Sequence, residues 1–216
     1  MVSLILGWLL STSLPATPPP SVTADSIARL APGANREAIT LALAAMRCAQ
    51  KSGVGIDASR LAFIDYSRPS TKPRLWVFDL RSNRLLFEEV VAHGRGSGKN
   101  LARVFSNVSG SHASSLGLFL TRDTYQGRNG YSLRMEGLEP GINDAAMARA
   151  IVMHGASYVD PLFASKQGRL GRSLGCPAVR EAVARGVIDV LKGGQFVFAY
   201  YPDSDWLSRS RWKCAG

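Results

Sequence analysis

The chain is short of most residues that build metal frames or disulfide scaffolds. Its 216 residues hold three histidines and three cysteines. No pair of them has the C-x-x-C or H-E-x-x-H spacing of a zinc site, so a site from His93, His154 and Cys176 is only a minor alternative. Charge is absent from the first 24 residues, MVSLILGWLLSTSLPATPPPSVTA. Their apolar stretch, Val2 to Leu10, is too short for a permanent bilayer span. With the small residues Val22-Thr23-Ala24 behind it, the segment has the outline of a secretory signal peptide cleaved after Ala24, its basic n-region reduced to the amino terminus itself. A retained anchor is the alternative. Acid is scarce too: 26 Lys and Arg against 16 Asp and Glu leave a net charge of +10. That balance suits residence near a polyanion such as an anionic cell wall or membrane face. Nucleic acid is disfavoured, because the charges are scattered singly and no zinc-finger, RNP or helix-turn-helix pattern is present. Repeats are absent as well.

Three cysteines are an odd number for an oxidising compartment, so one thiol stays free or pairs between chains. Cys48 and Cys214 can bridge or both stay unpaired. In either case Cys176 is the candidate free thiol.

Periodicity organises the rest. Residues 35–50, NREAITLALAAMRCAQ, predict an amphipathic helix with Asn35 as N-cap, closed by Ser52-Gly53. From Arg60 the pattern turns to strands, RLAFIDY, RLWVFDL and RLLFEEVVAH, the last two joined by a turn at Ser82-Asn83. A Gly/Ser/Asn-rich tract runs from Gly94 to Gly117. Short strands follow at 118–121 and 131–135, then a helical turn at 143–149 and the strand 150–153, which delivers His154-Gly155. A helix is expected from just after Cys176 to about Leu191, and QFVFAYY, 195–201, reads as a final buried strand. The class is mainly β with a few short helices and one core. The division is a leader 1–24, an N-terminal helical extension 25–57 (packed or a lid), and a catalytic domain 58–216.

The stretch GRSLGCPAV, 171–179, carries two nucleophiles. Ser173 fits G-x-S-x-G, but an α/β-hydrolase needs a histidine after that serine, and His93, His112 and His154 all precede it. The alternating strand–helix pattern of a doubly wound sheet is also missing. Cys176 is the better candidate. Pro177 behind it suggests a helix N-terminus, with Cys176 as N-cap and its thiolate stabilised by the dipole. Gly175 permits a tight turn, and the amides of residues 174–176 can face an oxyanion. His154 is the candidate base at a strand end. A buried structural cysteine with an unrelated histidine fits the same spacing.

The stretches IVMHGASYVD and GRLGRSLGCPAV resemble the YkuD-like L,D-transpeptidase catalytic domain, in its murein L,D-transpeptidase branch. Segments 64–70, 74–80, 91–98, 105–121 and 130–143 are similar to that branch too, so the likeness spans about residues 60 to 202. It implies an L,D-transpeptidase-like β-sandwich with a few short helices (α+β), and a cysteine acyltransferase acting on peptidoglycan stem peptides without metal or organic cofactor. By that likeness Cys176 attacks the carbonyl of the third stem residue and expels the terminal D-alanine. His154 takes the thiol proton and later activates the acceptor amine. Gly175-Cys176 amides hold the oxyanion, and Ser173 is a supporting hydroxyl. Two positions depart from the family pattern: Leu174 where many members have histidine, and Ala178 where many have arginine, the nearest being Arg180. Substrate contacts are therefore expected from His93, Gly155, Tyr158, Arg172, Tyr131 and Arg134, with Arg95 as a further candidate and His112 idle. Three functions remain open: an exported L,D-transpeptidase, an L,D-carboxypeptidase or endopeptidase using the same residues, and a silent wall-binding module.

Overall fold

The structure, a computed structural model, describes residues 22–212. Two helices come first, α1 (Ala24–Leu30) and α2 (Arg36–Lys51). Asn35 caps α2 as expected, its side chain accepting from the Ala38 amide at 3.1 Å. Ala38, Ile39, Ala42, Leu43, Ala45, Met46 and Ala49 recur at three- and four-residue intervals and are all buried. This stripe faces the sheet, and each buried Ile or Leu on it contributes about 2 kcal/mol. The N-terminal helical segment is thus packed into the main core and is no lid. Thr23 and Ser26 cap α1 reciprocally. A cut after Ala24 would remove that cap; the remainder of the expected leader, residues 1–21, lies outside the described residues. Cys48 is buried and disulfide-bonded, and Cys214, the residue it could bridge to, also lies outside the described residues.

Eight strands form one sheet: β1 (Arg60–Asp65), β2 (Leu75–Asp79), β3 (Arg84–Glu89), β4 (Gly117–Gly127), β5 (Gly130–Gly137), β6 (Val152–Gly155), β7 (Ala178–Val179) and β8 (Phe196–Tyr200). Their order is β3-β2-β1-β8-β4-β5-β6-β7. Strands β1 and β8 pair in parallel at the centre. Both are buried along nearly their whole length, which is why they read as continuous apolar runs and not as alternation. The other pairings are antiparallel except β6 with β7. The chain leaving β3 then reaches the opposite edge. Ala92 donates to the Ala178 carbonyl at 2.8 Å, Ser173 donates to the His93 carbonyl at 3.0 Å, and Arg95 donates to the Ser173 carbonyl at 2.8 Å. The mainly β class with short helices holds, and the sheet curls until its two edges meet.

One local expectation fails. No helix starts at Cys176. Residues 178–179 form β7, and the helix α4 runs Glu181–Leu191 with Arg180 at its N-cap. Pro177 leads into a strand because Ala178 and Val179 are claimed by β6 on one side and by Ala92 on the other. Two further helices, α3 (Pro161–Gln167) and α5 (Ser204–Arg209), complete the described chain.

Candidate active site

The turn before β7 is built around Gly175, whose φ is +128°. A Cβ there would sit 2.8 Å from Ile151 Cδ1 and 3.0 Å from the Ala113 carbonyl oxygen. Glycine is therefore required on both backbone and packing grounds. Ser173 staples the turn: its hydroxyl donates to the Cys176 carbonyl at 2.6 Å and accepts from the Gly175 amide at 3.1 Å. Ser114 anchors it from outside, donating to the Gly175 carbonyl at 3.0 Å while accepting from the Gly94 amide. Ser173 is thus a support for the turn. The Gly175 amide is spent on Ser173, so the amides of Leu174 and Cys176 remain as candidate oxyanion donors.

Cys176 is a free thiol, 8% exposed. Its Sγ lies 3.4 Å from the Val152 amide and 3.6 Å from the Ala150 carbonyl. Ala150 holds φ at +53°, an uncommon conformation for a residue with a side chain. With no helix behind it, the thiol gains no dipole stabilisation, and burial pushes its pKa up, opposed by the Val152 amide and the Arg149 guanidinium. This corrects the low-pKa thiolate expected from a helix N-terminus.

His154 sits on β6, in register with Ala178 of β7, so the pairing of two strands brings base and thiol to one cleft. Its Nδ1 is 2.8 Å from the Gly155 carbonyl, where it donates. That leaves Nε2 as the basic atom. Burial pushes the imidazole pKa down. Both partners are therefore held in their neutral forms at rest, a thiol beside an imidazole. The cleft has a volume of about 330 Å³, and His154, Cys176, Ser173, Tyr158, Arg172 and Arg149 line it. Burial, with Cys176 close by, pushes the Tyr158 hydroxyl up to about 12.

The other expected substrate contacts are dispersed. His93 is fully buried, its Nδ1 2.7 Å from the Arg74 guanidinium, and does not line the cleft. Tyr131 bonds Asp189 and lies under Arg185, while Arg134 pairs with Asp123 and covers Tyr125. Gly155 is a packing glycine, since a Cβ would come within 2.8 Å of Ala184. Arg95 contacts His112 at 3.1 Å, so that histidine has a partner after all. Arg180, the arginine nearest the missing family position, is bound to Glu89 of β3 at 2.5 Å. Among the described residues no three His, Cys, Asp or Glu side chains group closely enough to hold a metal ion.

Arg149 is the residue the sequence reading missed. It donates to the Ser106 carbonyl and Ser115 hydroxyl at 2.6 Å each, to the Ala113 carbonyl at 2.7 Å and to Ser111 at 3.2 Å. It thereby ties the serine-rich tract 106–115 to the thiol turn, with one guanidinium nitrogen 3.5 Å from where a Gly175 Cβ would be. Its only mark in the sequence is its position at the end of a helical turn before the histidine strand.

A thiol and a base over one cleft, held by a stapled turn on a curled sheet, define a site suited to nucleophilic attack on an acyl group. The chain belongs to the L,D-transpeptidase catalytic-domain family, YkuD_2, whose family model matches residues 30–200. No curated protein sequence matches it. Among solved structures it is similar to the helical cell shape determining protein Pgp2 (K307A mutant) from Campylobacter jejuni, at 13% identity and TM-score 0.45, covering 68% of this chain and 48% of that one. It is similar also to an L,D-transpeptidase from Mycobacterium smegmatis, at 13% identity and TM-score 0.40, covering 67% and 59%. An L,D-transpeptidase (Yku) from Stackebrandtia nassauensis matches at 12% identity and TM-score 0.38, over 84% and 90%. The chain thus spans about half to three fifths of the first two neighbours.

Proposed function

We propose that the protein is an exported cysteine L,D-transpeptidase that forms or exchanges bonds in peptidoglycan stem peptides. The observation that carries this reading is the buried Cys176 thiol sharing one cleft with His154, whose Nδ1 is fixed by the Gly155 carbonyl. In the reaction His154 Nε2 takes the thiol proton as Sγ attacks the carbonyl of the third stem residue. The tetrahedral oxyanion faces the Leu174 and Cys176 amides. Collapse breaks the bond to the terminal D-alanine, whose amine leaves with the proton from His154, and a thioester remains on Cys176. An acceptor amine then gives up a proton to His154, attacks the thioester and regenerates the thiol. Water in place of the amine yields the carboxypeptidase outcome. Export rests on the uncharged leader and the basic surface beyond it, which suits an anionic wall.

The test is mass spectrometry of products from disaccharide-tetrapeptide muropeptides, with Cys176→Ala alongside. Dimers lacking one terminal D-alanine, absent with the variant, are expected. Tripeptide monomers alone would make it a carboxypeptidase, and unchanged muropeptides would overturn the reading. Slow alkylation of the resting thiol at neutral pH does not separate an active enzyme from a silent wall-binding module, because burial already holds the thiol neutral.

A further inference from the structure

Beside the thiol cleft lies a second depression of about 450 Å³, formed by Lys99, Asn100, Gln167, Gly168, Arg169 and Arg172. Arg172 lines both, so the two hollows adjoin at its side chain. Among the described residues no acidic side chain lines either one. Elsewhere on the surface Arg60, Arg122, Arg134, Arg180 and Arg209 are neutralised by carboxylates. Among the described residues, Lys99, Arg169, Arg172 and Arg149 have no such partner. Two of them are nevertheless oriented: Arg172 donates to the Gly98 carbonyl at 2.9 Å and Arg169 to the Leu170 carbonyl at 2.9 Å. These bonds fix the side chains without cancelling their charge. The floor is held as well, since Ser70 bonds the Asn100 side chain at 2.9 Å and accepts from the Leu170 amide at 3.1 Å.

We infer that this basic hollow is a carboxylate subsite, which takes an internal carboxylate of the same peptide whose carbonyl meets Cys176. The inference rests on the transpeptidase reading for the identity of the peptide. The Arg172 side chain shared by the two hollows favours a peptide arm over a separate polyanion, because an extension of the group at the thiol passes beside it. Guanidinium groups suit the planar carboxylate, and Lys99 adds a point charge at the rim. The subsite supplies the anion recognition that the family pattern would assign next to the cysteine, where this chain has Ala178 and commits Arg180 to Glu89.

The experiment uses two probes, the tetrapeptide L-alanyl-γ-D-glutamyl-meso-diaminopimelyl-D-alanine and the same peptide with both internal carboxyls amidated. Binding to Cys176→Ala protein is measured by calorimetry at low salt. The free acid is expected to bind about tenfold tighter than the diamide, with the gap shrinking as salt rises. Lys99→Gln with Arg169→Gln, added to Cys176→Ala, is expected to close the gap to about twofold while the melting temperature is unchanged. Equal binding of acid and diamide, whether both bind or neither does, overturns the subsite, as does a gap that survives the double substitution. Turnover of both peptides by the unsubstituted protein is scored separately. Turnover without discrimination removes the subsite and leaves the transpeptidase reading, whereas carboxylate-dependent binding without turnover does the reverse.

Discussion

Two histidine–glycine pairs, His93-Gly94 beyond β3 and His154-Gly155 closing β6, are alike in sequence, yet their surroundings make them opposite in character. In both the glycine is a contact point: a Cβ on Gly94 would strike the His112 carbonyl at 2.2 Å and one on Gly155 would strike Ala184 at 2.8 Å. Arg74 donates to His93 Nδ1 and so fixes its proton on Nε2, which among the described residues meets no acceptor in hydrogen-bond geometry. Burial first, then Arg74, pushes that imidazole down to about 3, with the Gly98 and Lys99 carbonyls pulling weakly the other way. His154 carries the opposite tautomer, its proton on Nδ1, and lines a cleft beside a thiol. What separates the two histidines here is the neighbour that claims Nδ1, an arginine in one case and a carbonyl in the other.

Exchanging each ring for an amide tests this contrast most severely. His154→Gln is expected to lower kcat/KM on muropeptides about 10³-fold. His93→Gln is expected to change it less than about threefold while lowering the urea midpoint, and equal losses from the two would erase the distinction. Arg74 comes next. Its fully buried guanidinium bonds the Val91 and Arg68 carbonyls and lies 5.2 Å from the centre of the Tyr66 ring. Arg74→Met strands these acceptors and is expected to cost about 3 kcal/mol in denaturant unfolding.

Acid sharpens the contrast further. Both histidines have folded pKa values below the unfolded value, so the unfolded chain binds more protons as pH falls. Their contribution to stability is complete above about pH 6.5 and is lost as pH falls and the buried rings must charge, for His93 toward pH 3. For His93 the expected loss is on the order of 5 kcal/mol, about 3.5 pH units at about 1.4 kcal/mol each, read from melting temperatures across that window, and His93→Gln should flatten the slope. Arg149→Gln completes the series. It is expected to lower kcat about tenfold and to move the thiol alkylation profile to higher pH, because the nearest cation opposing the thiol's upward shift is gone. A tenfold loss with an unmoved profile would leave Arg149 with only its clamp on the serine-rich tract.

The strands and α2 were legible because their signals are local. Asn35 caps, the apolar stripe repeats, and the central strands are unbroken apolar runs. The thiol turn was legible as a turn, through Gly175 and Ser173. Its chemistry was not, since Cys176-Pro177 carries the same pattern as a helix start, and only long-range pairing of Ala178 with His154 and Ala92 decides for a strand. Arg149 and the burial of His93 beneath Arg74 depend on contacts across tens of residues, which no window of sequence displays. The capping of α3 by Asp160 ahead of Pro161 was readable in principle, as was that of α5 by Asp203.

The turn that carries the thiol also lies on the seam where the curled sheet meets itself, between residues 92–95 and 173–178. The two sides of that seam belong to different halves of the sheet, and β8, late in the described chain, sits between β1 and β4 at its centre and joins them. The cleft is thereby bounded by a closure of the whole sheet and not by one local motif. A chain cut ahead of β8 would keep Cys176 and His154 on adjoining segments but lose the central strand that joins the two halves whose edges meet at the seam.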